Sequence, residues 1–423
     1  MYSSTNVPLH ADSNKKNIGG YSKHHLLLLY CGFILLLSAS LNVAMIRVTL
    51  RSMLSTTSTP LLSDDVSMVS QPQETYKRLN RPMTRRRIEE LKGSHGPKFN
   101  VMVTGAAGFI GMHTAIALEN LGMTPIGYDN VNPYYSVQLK ETRIDELKIR
   151  NITFVRGDVC DVDKLKETIR EHNITRFIHL AAQAGVRYSL DHPLEYTRNN
   201  VDCTVNLLEV LVELGLKEKP LVYASSSSVY GNNLKVPFQE TDRVEDPASL
   251  YAATKRSDEL IAHTYFNLHN ISSIGLRFFT VYGPYGRPDM APFIFTDKIS
   301  NGEAIQVFNH GISRRDFTYV GDIVQGIIHS LFVNTGRPEL INLGNGRPIV
   351  LADFVRIVEK QVGRKANVQS VGMQKGDVPT TYADISKAQY LLCYLPTTNL
   401  DLGIKNFVEW FREYNASQYR IPS

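Results

Sequence analysis

Two residues four positions apart, Tyr251 and Lys255, have the types and the spacing that acid–base chemistry on a hydroxyl group requires. They stand near the start of SLYAATKRSDELIAHTYF, whose pattern predicts a helix. A spacing of four places both side chains on the same helix face, about one turn apart. A neighbouring ammonium favours the phenolate, which a tyrosine acting as a general base needs. Because such pairs also arise by chance on solvated helices, the assignment depends on the segments around it.

A run of four serines supplies a second set of candidate groups. Ser225 to Ser228 follow the apolar residues LVYA, which predict the core of a strand, and precede a turn at Gly231. A hydroxyl at such a strand end can hydrogen-bond the oxygen of a reacting substrate. Four serines can also form a plain polar loop, but the position between strand and turn favours a role in lining a site.

A glycine-rich turn predicts the element that holds a cofactor. The short apolar run FNVMVT predicts a buried parallel strand and leads directly into Gly105, Gly108 and Gly111, after which a helical pattern begins. Gly105 permits the tight turn, and Gly108 lets the backbone approach a pyrophosphate at the positive end of the helix. Gly111 allows the helix to pack closely on the strand, so the context is that of a dinucleotide site.

The next strand indicates which dinucleotide binds. The segment TPIGY ends in Asp129, 24 positions after Gly105, where a carboxylate accepts hydrogen bonds from ribose hydroxyls and repels a 2′-phosphate. This favours NAD over NADP. Further strand signals at 154–158, 177–182 and 221–224 alternate with helical segments. They predict an α/β fold with a doubly wound, Rossmann-type parallel sheet and helices on both faces.

The N-terminal part of the chain has a different character. Residues 26–46 form an uncharged apolar run of 21 residues, long enough to cross a bilayer as one helix. The short tail 1–25 and the large C-terminal body favour a signal anchor with a cytosolic tail and a lumenal body, although a cleaved signal peptide is the alternative. Residues 47–97 are rich in Ser, Thr, Pro and Arg, which predicts a flexible stem.

Residues 98–423 are then predicted to form the folded unit, with a smaller C-terminal α/β lobe mainly within 281–423. A lumenal body makes four asparagines candidates for glycosylation because each begins an Asn-x-Ser/Thr sequence. These are Asn151, Asn173, Asn270 and Asn415.

Composition excludes several classes of function. The formal charge is +5 with no lysine-rich face interleaved with aromatics, so nucleic-acid binding is not indicated. The four cysteines show neither CxxC spacing nor a disulfide framework, and we expect no metal site and simple buried thiols in the folded unit. They are Cys31, Cys160, Cys203 and Cys393.

The motifs TGAAGFIG, HLAAQAGVRYS, YASSSSVYG, YAATK, RFFTVYGPYGRPDM and RRDFTYVGDI, in this order, resemble the extended short-chain dehydrogenase/reductase family of nucleotide-sugar enzymes, the NAD-dependent epimerases and dehydratases. The resemblance covers residues 98 to about 415. It implies a C4 epimerisation of a UDP-sugar, with UDP-glucuronate the favoured substrate, and a homodimer on a Golgi membrane with single-pass type II topology.

The resemblance also implies roles for individual residues. Tyr251 corresponds to the general base, Lys255 to the lysine that holds the nicotinamide ribose, and Ser226 to the catalytic serine or threonine. The remaining positions expected near NAD are Gly105, Gly108, Phe109, Ile110, Gly111, Asp129, Asn130, Asp158, Val159, Ala181, Gln183 and Asn200. Those expected near the UDP-sugar are Arg187, Ser227, Ser228, Thr280, Arg287, Arg315 and Asp377.

The choice of substrate rests on the serine segment and on Thr280. Related decarboxylases and dehydratases carry an acidic residue in the serine segment, and galactose epimerases typically have Asn in place of Thr280. Hydroxyls alone therefore favour epimerisation of a uronate without loss of carbon dioxide. A UDP-galactose 4-epimerase, a UDP-glucuronate decarboxylase and an inactive NAD-binding membrane scaffold remain the alternatives.

Overall fold

The computed structural model describes residues 99–418 except 218, 219, 334 and 375. The predicted tail, membrane span and stem lie outside these residues. Within the part of the chain described, none of the helices combines the length and the apolar character that spanning a membrane requires.

Helices separate the first six strands from one another, and this part of the alternation agrees with the sequence. The strands are β1 Asn100–Thr104, β2 Thr124–Asp129, β3 Thr153–Arg156, β4 Arg176–His179, β5 Leu221–Ser226, β6 Ser273–Phe278, β7 Thr280–Tyr282, β8 Ala304–Val307, β9 Arg314–Arg315, β10 Phe317–Tyr319, β11 Glu339–Leu343, β12 Ile349–Val350 and β13 Asn367–Ser370. The α-helices are α1 Phe109–Asn120, α2 Val137–Ile149, α3 Val162–Glu171, α4 Tyr188–Asp191, α5 Pro193–Tyr196, α6 Cys203–Glu213, α7 Leu250–His269, α8 Ala291–Asn301, α9 Val320–Ser330, α10 Leu351–Val362, α11 Ser386–Leu392 and α12 Leu400–Gln418.

Seven parallel strands form the central sheet, in the order β3-β2-β1-β4-β5-β6-β11. The chain runs outward from β1 to β3 and then returns to add β4, so the strand order reverses beside β1. Ligands of open α/β sheets bind at such a reversal, outside the carboxyl ends of the strands. The predicted Rossmann-type fold is therefore confirmed.

The sheet is buried on both faces, which explains its near-continuous apolar strands. Alternate residues of β1 enter two different cores: Val101 and Val103 face one and Met102 the other. Helices α1 and α9 cover the first face, and α3, α6 and α7 contribute to the second. A rigid two-sided core of this kind fixes the strand ends where the predicted site residues lie.

A third core builds the smaller C-terminal lobe. Aromatic side chains of α8, α10 and α12 pack together with Phe317 of β10, whose ring stacks on that of Phe354 with the centroids 4.3 Å apart. The lobe is not continuous in sequence, because α9 and β11 belong to the large sheet and its first core. The predicted range 281–423 thus contains two elements of the dinucleotide-binding half.

Three of the predicted glycosylation asparagines occupy the same type of turn. Asn151, Asn173 and Asn270 have positive φ values of 57°, 47° and 58° and are exposed. Each follows a helix directly, and asparagine is one of the few residues that accept the left-handed region there. Asn151 consequently ends a helical turn instead of opening β3, which begins at Thr153.

The cysteines contradict one sequence-based expectation. Cys160 and Cys203 form a disulfide with an S–S distance of 2.01 Å and a sequence separation of 43 residues, whereas the spacing predicted simple buried thiols. Cys160 follows β3 and Cys203 begins α6, so the sheet topology brings together residues that no local pattern relates. Cys393 is free.

Candidate active site

The glycine turn after β1 has the close packing that its sequence predicts. Gly105 has a φ of +74°, and a Cβ atom there would lie 2.7 Å from the backbone nitrogen of Ala181. A Cβ on Gly111 would lie 2.1 Å from the Gly105 carbonyl oxygen. Gly108 is the N-cap of α1 and supplies no side-chain cap, so the helix begins with its amide groups uncapped by a side chain. This is a cradle for a phosphate group.

The two residues after Gly108 anchor the cradle. Phe109 is buried in the first core, and its ring packs edge-on against His113 with the centroids 5.7 Å apart. Ile110 is half-buried against the same core. Both side chains therefore anchor the start of α1 against the first core.

Asp129, at the end of β2, joins the glycine turn to the loop that follows. Its Oδ2 accepts a hydrogen bond from the Ala107 amide at 3.0 Å and its Oδ1 one from the Val131 amide at 2.7 Å. Burial raises the pKa of Asp129, and Lys140 together with these amides opposes the shift. The carboxylate thus stands beside the cradle, where the ribose of a dinucleotide would lie.

Asp158 lies at the outer end of the same cleft. Its Oδ1 accepts from the Cys160 amide at 2.8 Å, and its Oδ2 from Asn130 at 3.3 Å and from Arg198. The neighbouring Val159 is buried in the second core. The Cys160–Cys203 disulfide adjoins this cluster, so a covalent bond fixes the loop that carries Asp158.

The ends of β1 and β4 bring three more of the predicted cofactor residues together. Ala181 donates its amide hydrogen to Thr104 Oγ1 at 3.2 Å. Gln183 and Asn200 exchange hydrogen bonds, with the Gln183 amide 2.7 Å from Asn200 Oδ1, and Asn200 also donates to Thr254 Oγ1 at 3.0 Å. This network connects β4 to α7, the helix that carries the catalytic pair.

These residues fit NAD by their own chemistry. The glycine turn has no room for Cβ atoms and leads into the start of α1. The Asp129 carboxylate, which accepts from two backbone amides, follows β2, and polar side chains continue along the edge of the sheet. Together they match a pyrophosphate, a ribose without a 2′-phosphate and the remaining rings of a dinucleotide.

Tyr251 and Lys255 both lie in the first two turns of α7, as predicted. Ser249 caps this helix by accepting a hydrogen bond from the Ala252 amide at 3.1 Å. Lys255 is buried, and its Nζ donates to the Ala224 carbonyl of β5 at 3.0 Å. The lysine therefore fixes the start of α7 against the strand that leads into the serine segment.

The tyrosine ring has an aromatic partner across the cleft. Tyr251 is half-buried, and its ring meets that of Tyr196 edge-on with the centroids 6.1 Å apart. Tyr196 donates its own hydroxyl to the carbonyls of Ala184 and Gly185. Because Tyr196 is held by the backbone that follows β4, it gives the Tyr251 ring a defined orientation.

The serine segment begins at the carboxyl end of β5. Ser226 is the last residue of that strand, and its Oγ accepts a hydrogen bond from the Ser228 amide at 3.1 Å. Ser227 and Ser228 lie in the following 3₁₀ turn and are half-buried. Ser225, by contrast, faces away and donates to Glu259 at 2.7 Å. The other three serines therefore stand at the end of β5 and in the turn that follows it.

Thr280 and Arg287 have different surroundings. Thr280 opens β7, directly after β6, and is half-buried. Arg287 forms a two-pronged ion pair with Asp289, at 3.0 Å from Nε and 2.5 Å from an Nη atom. Tyr134 donates to the same carboxylate at 3.0 Å. Asp289 thus occupies one edge of the Arg287 guanidinium, formed by its Nε and one Nη atom.

The predicted residues for the nucleotide end also meet. Arg187 pairs with Asp377 at 3.4 Å, and its guanidinium lies 4.9 Å from the centre of the Phe308 ring. Burial lowers the pKa of Arg315, while Asp377 opposes this shift and Arg187 adds to it. Two guanidinium groups and one carboxylate therefore share this part of the cleft, which suits a doubly charged diphosphate.

Sequence reasoning missed a residue that joins the two halves of the molecule. Arg143 of α2 is fully buried and donates to the Ala107 carbonyl at 3.1 Å and to the Tyr285 carbonyl at 2.7 Å. The first carbonyl belongs to the glycine turn and the second to the loop that carries Arg287. Its position on an ordinary charged helix gave no local signal of this role.

A family model described as the NAD dependent epimerase/dehydratase family matches residues 101–344, more than half of the chain. Among curated relatives, UDP-glucuronate 4-epimerase 4 of Arabidopsis thaliana is 45% identical over 349 residues, covering 79% of this chain and 80% of that protein. An uncharacterised protein of Methanocaldococcus jannaschii is 48% identical over 317 residues, covering 74% and 96%.

Two solved structures are also similar. The UDP-glucuronic acid 4-epimerase of Bacillus cereus, in complex with UDP-glucuronic acid and NAD, is 33% identical with a TM-score of 0.70, covering 75% of this chain and 100% of that one. The UDP-glucose 4-epimerase of Thermotoga maritima, with UDP-glucose, is 29% identical with a TM-score of 0.68, over 75% and 100%. By its fold, its cofactor cradle and these matches, the chain belongs to the NAD-dependent epimerase/dehydratase family.

Proposed function

We propose that this protein is an NAD-dependent UDP-glucuronate 4-epimerase, which interconverts UDP-glucuronate and UDP-galacturonate. The observation that carries the proposal is the similarity over four fifths of the Arabidopsis enzyme and the whole Bacillus cereus chain, whose structure contains UDP-glucuronic acid and NAD. The Tyr251–Lys255 pair and the serine segment supply the groups that such a reaction needs.

In this reaction Tyr251 removes the proton from the C4 hydroxyl and later returns it to the C4 oxygen. NAD, when bound, would accept the hydride from C4 and supply it again to the opposite face of the 4-keto carbon. Lys255 lies one turn further along the same helix face and is the residue proposed to hold the nicotinamide ribose. Ser226, at the end of β5, hydrogen-bonds the C4 oxygen and orients the sugar toward the tyrosine.

A uronate adds a requirement that a neutral hexose does not. Its 4-keto intermediate is a β-keto acid, which loses carbon dioxide when the bond to the carboxylate aligns with the carbonyl π system. Donors that hold the carboxylate out of that alignment prevent the loss. Ser227, Ser228 and Thr280 offer hydroxyls, and Arg287 offers a charged donor.

Product analysis tests the proposal. The full-length chain, purified in detergent, is given UDP-glucuronate without added cofactor, and the products are separated by chromatography. We expect UDP-galacturonate. Formation of UDP-xylose would identify a decarboxylase. Turnover of UDP-galactose without turnover of UDP-glucuronate would identify a galactose epimerase. If NAD-loaded protein turned over neither UDP-glucuronate nor UDP-galactose, the protein would be a scaffold.

We further propose that residues 26–46 anchor the protein in a Golgi membrane as a single-pass type II protein, with the catalytic body in the lumen. The uncharged length of this run supports the anchor. Exposed sequons at Asn151, Asn173 and Asn270 are compatible with a lumenal body. Protease protection in intact vesicles, together with the mass change on glycosidase treatment, tests this topology.

A homodimer is the proposed assembly. Leu260 and Leu268 on α7 are 53% and 69% exposed, and an exposed apolar stripe on a helix is a feature of self-association surfaces. Light scattering on purified protein should give twice the mass of the chain. Leu260→Glu should shift the protein toward the monomer, and a monomeric wild type would contradict the proposal.

A further inference from the structure

A buried acid–base pair lies one turn beyond the catalytic tyrosine. Lys255 and Asp258, three positions apart on α7, approach to 3.0 Å with side chains only 4% and 2% exposed. A pair that is almost completely removed from water interacts far more strongly than a surface pair, because little solvent screens it. Burial raises the pKa of Asp258 to about 6 and Lys255 opposes this shift, so the carboxylate is charged above that pH.

The carboxylate also decides where the ammonium points. Lys255 has three N–H donors, of which one goes to the Ala224 carbonyl and one to Asp258 Oδ2, both at 3.0 Å. One donor is left beyond these two, and Tyr251 lies one helical turn earlier on the same face of α7. Without Asp258, only a single hydrogen bond would fix the ammonium.

The other titratable groups around this pair either have ion-pair partners of their own or are neutral. Glu259, the next residue on α7, accepts from Arg277 at 2.8 Å and also pairs with Arg256. His179 of β4 faces the pair, and its low pKa of about 3, caused by burial and then by Lys255, keeps it neutral. On β5, burial raises the pKa of Tyr223, and Glu259 and Asp258 add to the shift, which keeps this phenol neutral. Lys255 is thus the cation that Asp258 contacts among the described residues.

We infer that Asp258 is a positioning residue for Lys255, and that its negative charge sets the pH at which the Tyr251 phenol gives up its proton. The inference rests on the proposed function, in which Tyr251 is the base. With Asp258 ionised, the lysine–aspartate pair has no net charge, so the field that favours the phenolate is reduced. Removal of the carboxylate charge leaves the full ammonium charge beside the tyrosine.

A neutral residue at 258 therefore has two effects of opposite kind. The phenolate forms at lower pH, because the ammonium is no longer compensated. Turnover at high pH falls, because one of the two hydrogen bonds that orient the ammonium is lost. A purely structural role for Asp258 would lower stability and turnover without moving the pH dependence.

The variant Asp258→Asn keeps the shape of the side chain and removes its charge. The tyrosinate absorbance of Asp258→Asn is titrated in the ultraviolet. The same titration is carried out on the double variant that also carries Tyr251→Phe. The difference between the two curves is the titration of the Tyr251 phenol. Burial raises the pKa of the neighbouring Tyr196 and Tyr134, which keeps their titration out of the range. This measurement needs no substrate.

We expect the Tyr251 titration and the acid limb of the kcat profile to move together to lower pH by about one unit in Asp258→Asn. At pH 8 we expect kcat to fall about 3- to 10-fold with an unchanged KM. Asp258→Ser, also neutral, should move the titration in the same direction if Asp258→Asn folds poorly. Unmoved titration curves in both variants would overturn the inference.

The matched control is Asp145→Asn. Asp145 forms a pair of the same i,i+3 type with Lys148 at 3.1 Å, but both side chains are 61% exposed and lie on α2. The control should leave the titration and kcat unchanged. If wild-type protein fails to epimerise UDP-glucuronate, the proposed function fails, whereas the spectroscopic comparison still decides the role of Asp258.

Discussion

At the scale of single residues, the chemistry depends on where a few buried groups carry charge. Lys255 donates to a backbone carbonyl and to Asp258, whereas burial lowers the pKa of His179, whose ring is hydrogen-bonded to Thr104 Oγ1 at 2.8 Å. Burial disfavours a charged side chain unless a partner compensates it. Asp258 is such a partner for Lys255.

Replacement of the base gives the first residue-scale prediction. Tyr251→Phe removes one hydroxyl and should lower kcat by roughly two to four orders of magnitude, the usual contribution of a general base. Bound NAD should remain, because the cradle lies on β1 and α1. The measurement is initial rate together with the dinucleotide released on denaturation. A variant that epimerises at the normal rate would exclude Tyr251 as the base.

His179 makes the stability of the protein depend on pH. Its pKa is lowered from 6.5 to about 3 by burial, so below pH 6.5 the unfolded chain binds a proton that the folded chain does not. Stability is therefore lost as pH falls below 6.5, by about 1.4 kcal/mol for each unit. Urea unfolding of wild type and His179→Gln at pH 7.5 and 5.5 measures this. The variant should lose less stability between the two values, and an equal loss would contradict the assignment.

The types of the site residues could be predicted from sequence because each stands in a local pattern. Gly105, Asp129, Ser226 and Tyr251 follow strands or open helices, and parallel strands bring their ends to one edge of a sheet. Contacts across the fold could not be predicted in this way. The hydrogen bond from Arg143 to the Tyr285 carbonyl is one of them, since the two residues lie 142 positions apart in the chain.

At the scale of elements, the glycine turn is the part of the site where added side-chain atoms would cause severe steric clashes. A methyl group at Gly111 would lie 2.1 Å from the Gly105 carbonyl, a contact that only movement of α1 away from β1 can relieve. Arg143, which donates to the carbonyl in the middle of this turn, prevents such movement. The element is therefore both the cofactor cradle and the junction with the substrate lobe.

Gly111→Ala tests the cradle. We expect the purified variant to contain less than about a tenth of the wild-type dinucleotide, because α1 must shift out of the position that a pyrophosphate requires. Dinucleotide released per chain is the measurement. Gly372→Ala is the matched control, since nothing lies within 4 Å of a Cβ at that position. Full retention of NAD in Gly111→Ala would contradict the account.

The disulfide supplies the second element-scale prediction. It connects the loop after β3, which carries Asp158, to the first residue of α6. Its loss in Cys203→Ser should lower the free energy of unfolding by about 2–4 kcal/mol, and a reductant should have the same effect on wild type. Chemical unfolding measures both, with Cys393→Ser as the control because that thiol is free. Equal stability of Cys203→Ser and wild type would show that the bond does not form.

These two elements show the limit of reasoning from sequence. The strand–glycine–helix unit is encoded within 25 residues or so and could be predicted whole, because its steric requirements are local. The disulfide forms because the fold brings the start of α6 close to the end of β3. The spacing of Cys160 and Cys203 in the sequence does not predict this proximity. The same applies to β11. The sequence range predicted it in the substrate lobe, whereas it pairs with β6 in the large sheet.

At the scale of the whole molecule, the parallel sheet brings the residues proposed for the cofactor and the Tyr251–Lys255 pair to one edge, and the C-terminal lobe contributes Arg287, Arg315 and Asp377 of those proposed for the substrate. The alternation of strands and helices predicted this architecture, because βαβ units of one hand can assemble in few ways. The family match over residues 101–344 and the similarity to nucleotide-sugar epimerases agree with it. In the proposed reaction, the sheet and the lobe together support a reversible transfer of one hydride.

That claim is tested most directly by the fate of the hydrogen on C4. UDP-glucuronate labelled with deuterium at C4 is incubated with the full-length protein, without added cofactor, and the products are examined by mass spectrometry and NMR. The account predicts UDP-galacturonate that retains the deuterium at C4. Loss of the label to solvent, or a product without its carboxyl group, would contradict it.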